Sequence, residues 1–186
     1  MTSKIYGSVD LAAVSFEGGA RLTLTDGPLQ LGWKHSGATS DFIAEVMAMP
    51  YTSKKEYYIV VHHSIGYLTN ELIENAVKFR LPSAIEIEAC LAETEFLLRV
   101  RNPITTETSV VFQRKLDKIL DSDPGDLLIQ QIEANALSDS GDSGLGLLTL
   151  LSDYGAKLSW EFSESDMDSV MLTATAAVAV PLTSNL

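Results

Sequence analysis

Three side chains near the middle of the chain stand where a helix would stack them. Glu71, Asn75 and Lys78 recur at steps of four and three, with Tyr67 one step before them. In a helix this puts a carboxylate, an amide and an ammonium on one face over about two turns. A carboxylate so placed could polarise a hydroxyl or a water, and an amide carbonyl oxygen is a donor that a hard cation accepts. Such a ladder can serve a magnesium-bound nucleotide. It can equally be the solvated border of an ordinary helix, and the spacing does not choose between them. A second segment, Gly141-Asp-Ser-Gly-Leu-Gly146, runs into apolar Leu147-Leu-Thr-Leu-Leu151. Its glycines would let backbone approach a polyphosphate, and free N–H groups at a helix start hold anions. A plain flexible loop fits it as well. It lacks the Gly-Lys-Ser/Thr ending of a P-loop, and no strand precedes it as a dinucleotide turn requires.

The elements that must position these residues follow from periodicity. Val61, Ile65, Leu68, Leu72, Ala76 and Phe79 form one apolar stripe, which predicts a helix over about 56–79, stopped near Arg80 by Pro82. Before it, Leu22 and Leu24, then Leu29, Leu31 and Trp33, alternate around Asp26-Gly27 and predict two short strands, with Pro28 favouring an edge. Thr39-Ser40-Asp41 is expected to cap a helix through Phe42, Ile43, Val46 and Met47 that Pro50 ends. Residues 1–20 are weakly patterned. After the central helix, 84–91 and 95–101 read as an antiparallel hairpin, its second strand broken by Asn102-Pro103. Phe112, Leu116, Ile119 and Leu120 predict one amphipathic helix. Asp123-Pro124 starts another, with Leu128, Ile132 and Ala136 on one side. Helix 147–151 should close at Tyr154-Gly155, followed by strands over 156–162 and 170–180 and a stop at Pro181.

The chain has 186 residues, 46% hydrophobic and 20% charged, which suits one folded domain rather than disorder. A net charge of -12 argues against nucleic-acid and anionic membrane partners. The lone Cys90 excludes an internal disulfide and favours a reducing compartment. With no apolar signal core and no membrane-length run, a cytoplasmic location is expected. One cysteine and three histidines make no zinc spacing. His62 and His63 are expected to make local polar contacts, Trp33 and Trp160 to sit in the core or an interface, and 161–168 to be a solvated turn.

Taken together and in this order, 69–79 and 141–158 resemble the N-box and second glycine box of the GHKL (Bergerat-fold) ATPases. The resemblance covers about 55–181. It implies a two-layer α/β sandwich, a mixed and mainly antiparallel sheet with helices on one face. It also implies one domain over 1–186, an N-terminal extension over 1–50 that could form a dimer or partner surface, and an ATP lid over about 105–143. By position, Asn75 would coordinate Mg²⁺ on ATP or ADP and Glu71 would be the general base. Lys78 would lie near the phosphates, and Gly141, Ser143, Gly144, Leu145 and Gly146 would line the polyphosphate path. Thr173 or Thr175 would support the adenine. The family's first glycine box should read Asp-x-Gly-x-Gly, but here Arg101-Asn102-Pro103-Ile104-Thr105 has no glycine. Asn102 stands where the aspartate belongs, and its carbonyl oxygen could still accept from the adenine amino group. No sensor or histidine-bearing dimerisation hairpin is evident, so the chain resembles the stand-alone branch of anti-sigma-factor serine kinases and SiaB-type kinases. That branch implies a bacterial regulator, plausibly a homodimer, that phosphorylates a serine or threonine on a STAS-like antagonist. The alternative it implies is a non-catalytic nucleotide-sensing switch that holds a sigma factor or another regulator.

Overall fold

A computed structural model describes residues 3–25, 32–137, 144–166 and 168–182. In chain order the elements are β1 Ser3–Gly7, α1 Val9–Ala12, β2 Ala20–Leu24, α2 Trp33–Ala48, a 3₁₀ turn Met49–Tyr51 and α3 Lys55–Phe79. There follow β3 Ile85–Leu91, β4 Glu95–Thr105, α4 Thr106–Leu120, α5 Pro124–Ala136, α6 Gly146–Ser152, β5 Lys157–Asp166 and β6 Ser169–Ala179. The strands form one sheet in the order β1-β5-β6-β4-β3-β2, with every described pairing antiparallel. The larger helices cover one face, giving the expected two-layer α/β sandwich.

α3 is the axis of the helical layer. Its stripe Val61, Ile65, Leu68, Leu72 and Ala76 is buried against sheet residues such as Ile87, Leu98, Val100 and Ala176. Gly66 lies against Ala44, so α2 and α3 approach closely. Arg80 leaves the helix in an extended conformation, as a nearby proline favours. The other sheet face carries a smaller cluster of Leu11, Phe16, Leu97 and Ala177, beside the ion pairs Arg21–Glu88, Arg99–Glu88 and Arg101–Glu86.

Besides the acidic run, where β5 continues through Asp166 in place of most of the turn expected over 161–168, three local expectations are corrected. First, Trp33 is not in a strand: it is the first residue of α2, and the rest of the expected strand, 29–31, lies outside the described residues. Second, Thr39-Ser40-Asp41 is no cap. Gly32 precedes the helix, its N–H donating to His35 Nδ1 at 3.0 Å, while the Ser40 hydroxyl donates to the Ser36 carbonyl at 2.8 Å inside the helix. Cap-type residues tolerate a helix interior when they bond back in this way. Third, Asn102-Pro103 does not break β4, which runs on to Thr105 with Asn102 opposite Leu172 and Pro103 opposite Met171. The reason is lateral. β3 pairs with β4 only as far as Arg101, and the Pro103 carbonyl faces that vacated side, where it accepts from Leu81 N–H at 2.8 Å. The missing proline N–H would point the same way, so no ladder bond to β6 is lost.

The described residues of the segment read as an extension over 1–50 join the sheet and the helical layer: β1 and β2 are the two sheet edges and α2 packs on α3. The turn after β1 needs glycine. Gly7 has φ +80°, and a Cβ there would collide with the Leu158 carbonyl oxygen. Leu68→Ala should lower the unfolding free energy by about 2–5 kcal/mol, whereas Pro103→Ala should cost at most about 1 kcal/mol. Urea unfolding of both variants checks this contrast.

Candidate functional site

Burying one stripe of α3 turns the neighbouring stripe toward α6. Tyr67, Glu71, Asn75 and Lys78 line a cavity of about 660 Å³ whose other wall is Gly144, Leu145, Gly146 and Thr149. The two segments singled out in the sequence, about seventy residues apart, therefore face each other. The approach is close: a Cβ on Gly146 would collide with the Glu71 carboxylate. Gly144, at φ +60°, takes a left-handed conformation just before. Gly141 and Ser143 lie outside the described residues.

An apolar cavity of about 290 Å³ adjoins the polar one, between α3, α4 and the sheet. Leu72, Ala76, Val100, Ile104, Trp160, Leu172 and Ala174 line it, and Asn75, Phe79, Lys115 and Leu147 border both cavities. Asn102 reaches its floor because strand alternation sends Val100, Asn102 and Ile104 to the helix face. It is 3% exposed, and its Nδ2 donates to the Pro103 carbonyl at 3.5 Å. Thr173 is not brought here. It lies between the lining residues Leu172 and Ala174, so its side chain is on the opposite face, in register with Arg101. Thr175 shares that far face, where it accepts from Arg99 Nε at 3.4 Å.

Glu71 is the electrostatic centre of the polar cavity. Burial pushes its carboxyl above the usual carboxylate range, Glu74 adds to the rise, and a hydrogen bond from Tyr67 opposes it. Among the described residues, no three His, Cys, Asp or Glu side chains form a metal cluster. The described residues by themselves thus form no dedicated cage of such ligands. One amide oxygen beside a carboxylate suits instead a magnesium ion that takes its other ligands from phosphates and water. Lys78 and Lys115 supply cationic groups at the cavity wall. The acceptor and cation chemistry, the glycine wall and the adjoining apolar slot all fit a magnesium-bound nucleotide.

The sequence reading missed Lys115, Ser36 and the structural partners of Tyr67. Thr108, Val111, Phe112 and Lys115 line the apolar cavity at helical steps, a periodicity continuous with the Phe112–Leu116 pattern, so Lys115 was findable. Ser36 lines the polar cavity from α2, whose expected start fell too late to include it. His63 makes the expected kind of polar contact, its Nδ1 lying 3.2 Å from the Tyr154 hydroxyl. His62 Nε2 lies 3.5 Å from Glu45. Trp160 is buried in the core.

No protein-family model matches the sequence, and no curated protein does. Among solved structures, the fold is similar to a chain of the crystal structure of the SiaB-SiaC complex from Pseudomonas aeruginosa. The TM-score is 0.60 at 13% identity, over 84% of this chain and 89% of that chain. The likeness is one of fold: this chain shares the two-layer α/β sandwich with that chain. No helix among the described residues is long and apolar enough to cross a membrane.

A carboxyl raised in the folded state holds its proton more tightly there than in the unfolded chain. Stability therefore falls as pH climbs from the ordinary carboxylate range through the raised value, and the cost persists above it. Glu71→Gln removes that cost. It should raise Tm at neutral pH by about 2–4 °C and have little effect near pH ~4, as read by scanning calorimetry at the two pH values.

Proposed function

We propose that this chain binds Mg-ATP in the paired cavities and transfers the γ-phosphoryl group to a serine or threonine of a small STAS-like antagonist protein, as part of a bacterial partner-switching system. The observation that carries the reading is the convergence of Glu71 and Asn75 with Gly144–Gly146 on one cavity, beside an apolar slot with a buried amide on its floor. The similar solved structure is itself a two-protein complex, which supports a protein acceptor.

Each residue has a role in this reading. The apolar slot takes the adenine, with the Asn102 carbonyl oxygen accepting from its amino group. The Leu145 and Gly146 amides, Lys78 and Lys115 are placed to hold the phosphates, and the Asn75 side-chain oxygen would hold magnesium. Bound Mg²⁺ would neutralise charge gathering on the γ-phosphoryl group. Glu71 accepts the proton of the attacking hydroxyl. The hydroxyl oxygen bonds to the γ-phosphorus as the β–γ bridging bond breaks and ADP leaves. Deprotonated Glu71 is required, so its raised pKa places the acid limb of activity above the ordinary carboxylate range. α4 and α5 form the described part of the ATP lid. A second reading, a non-catalytic switch that holds a sigma factor, draws on Asn102 and Pro103 replacing the family's charged, glycine-bearing turn.

Calorimetric titration with Mg-ATP, followed by phosphate transfer to a candidate STAS protein, separates the readings. Asn75→Ala should weaken magnesium-dependent binding by at least about tenfold. Glu71→Gln should bind nucleotide while losing about 100-fold or more in transfer. Binding with no transfer by the wild-type chain selects the switch, and no binding at all rejects both.

A further inference from the structure

We propose that Ser36 is a further phosphate-binding residue of the polar cavity, its hydroxyl donating to the polyphosphate of the bound nucleotide from α2. The role rests on the reading of the cavity as a magnesium-nucleotide site, but the observation behind it is independent of the two motifs that carry that reading. Ser36 is 0% exposed, lines the cavity with Val77, Lys78 and Gly144–Gly146, and its Oγ has no hydrogen-bond partner. Among the described residues three buried hydroxyls lack a partner, those of Ser36, Thr69 and Ser159. Of these, Ser36 is the one that stands on the wall of either cavity. Ser40, one turn further along α2, shows the alternative, since its hydroxyl donates back to the Ser36 carbonyl at 2.8 Å. A buried hydroxyl left unbonded is unfavourable, so a purely packing role at this point would be better served by alanine.

The fold brings this hydroxyl to the level of the candidate phosphate groups. α2 and α3 are consecutive helices joined by a short turn, so they run antiparallel, and the contact of Gly66 with Ala44 fixes their register. Ser36 lies about two turns before Ala44, which sets it beside the turn of α3 that carries Glu74 and Asn75. It is also the fourth residue of α2, at the end of the first turn, where the helix dipole still favours an anion. Lys78 and Lys115 add cations to the same cavity, while Glu71 and Glu74 add carboxylates. Together these groups suit a polyphosphate carried with its magnesium ion rather than a bare anion. A serine has a single side-chain torsion, so its oxygen can turn toward such a ligand without any movement of the helix. Unbonded, the hydroxyl lowers stability; bonded to a phosphate oxygen, it adds affinity.

Ser36→Ala in the full chain is the test, because it deletes one oxygen and little else. Calorimetric titration with Mg-ATP should show affinity lower by about tenfold or more, as expected for a hydrogen bond to a charged acceptor. Magnesium tripolyphosphate, a probe with the phosphates and no nucleoside, should lose about the same factor. Without ligand, the variant's Tm should equal or exceed that of the wild type, since an unbonded buried oxygen has gone. A lower Tm with unchanged affinities marks a packing residue and overturns the proposal, as do unchanged affinities at any Tm. Weaker Mg-ATP binding with tripolyphosphate binding unchanged moves the contact to the sugar and overturns the phosphate assignment. If the wild-type chain binds Mg-ATP and the variant matches it, the inference fails and the functional reading stands. If the wild type binds tripolyphosphate but no Mg-ATP, the functional reading fails and the tripolyphosphate titration still judges Ser36. Binding of neither by the wild type overturns both.

Discussion

The placement of every candidate group depends on the burial of one side of α3. Five apolar residues from Val61 to Ala76 are almost fully withdrawn from water, each contributing about 1.5–3 kcal/mol if large and aliphatic. A helix anchored that firmly cannot roll. Turning it by one residue, about 100°, would expose the stripe and bury Glu71 and Lys78 instead. The polar ladder is therefore held in position by packing it does not take part in. The same constraint explains why Glu71 can be kept in an environment that disfavours its charge. The energy that holds the carboxylate against Gly146 comes from Ile65, Leu68 and Leu72 on the adjoining stripe of the helix.

The second wall is fixed by absence rather than by bulk. Gly146 opens α6 at the point of contact with the Glu71 carboxylate, and any side chain there would have to displace it. Past the other end of α6, Gly155 takes φ +57° and the Ala156 N–H reaches back to the Leu150 carbonyl at 2.9 Å, turning the chain into β5. α6 is thus a short connector with a glycine near each end, and its apolar residues Leu147 and Leu150 bind it to the core. Its distance from α3 is set by that core, while the space between them is left for whatever lies between carboxylate and amide.

What could be read in the sequence divides along physical lines. α3 was legible to within a residue or two because six apolar positions repeat at one period and Pro82 marks the end. The β3–β4 hairpin and the last two strands were legible from alternation, and the facing of Glu71 and Gly146 was implied only by the resemblance of the two motifs to a known pair. The start of α2 was not, since its first turns (Trp33, Lys34, His35, Ser36, Gly37) carry neither a polar cap nor an apolar period, and the competing Ser-Asp signal lay inside the helix. β1 was missed because an edge strand with one buried residue, Tyr6, leaves almost no pattern. Thr173 was misplaced by a single position. In a strand one residue is the difference between the cavity and the opposite face, and composition holds no information about which parity is inward.

The departure at Asn102 makes physical sense once β4 is seen to continue through it. Here the backbone stays extended to Thr105, and residue 102 is delivered to the floor of an apolar slot among Val100, Ile104 and Leu172. An aspartate in that position would suffer a large desolvation penalty when ionised, relieved only as far as Lys115, which lines the same slot, pairs with it, and burial pushes it toward the protonated form. Its acceptor character would then be compromised. An amide keeps a neutral carbonyl acceptor at every pH, and its N–H₂ has an outlet at the Pro103 carbonyl. Pro103, by presenting only a carbonyl toward Leu81, closes the side of the strand that β3 has left. Strand continuation, the proline and the neutral amide are one coupled solution on the floor of the slot beneath α4.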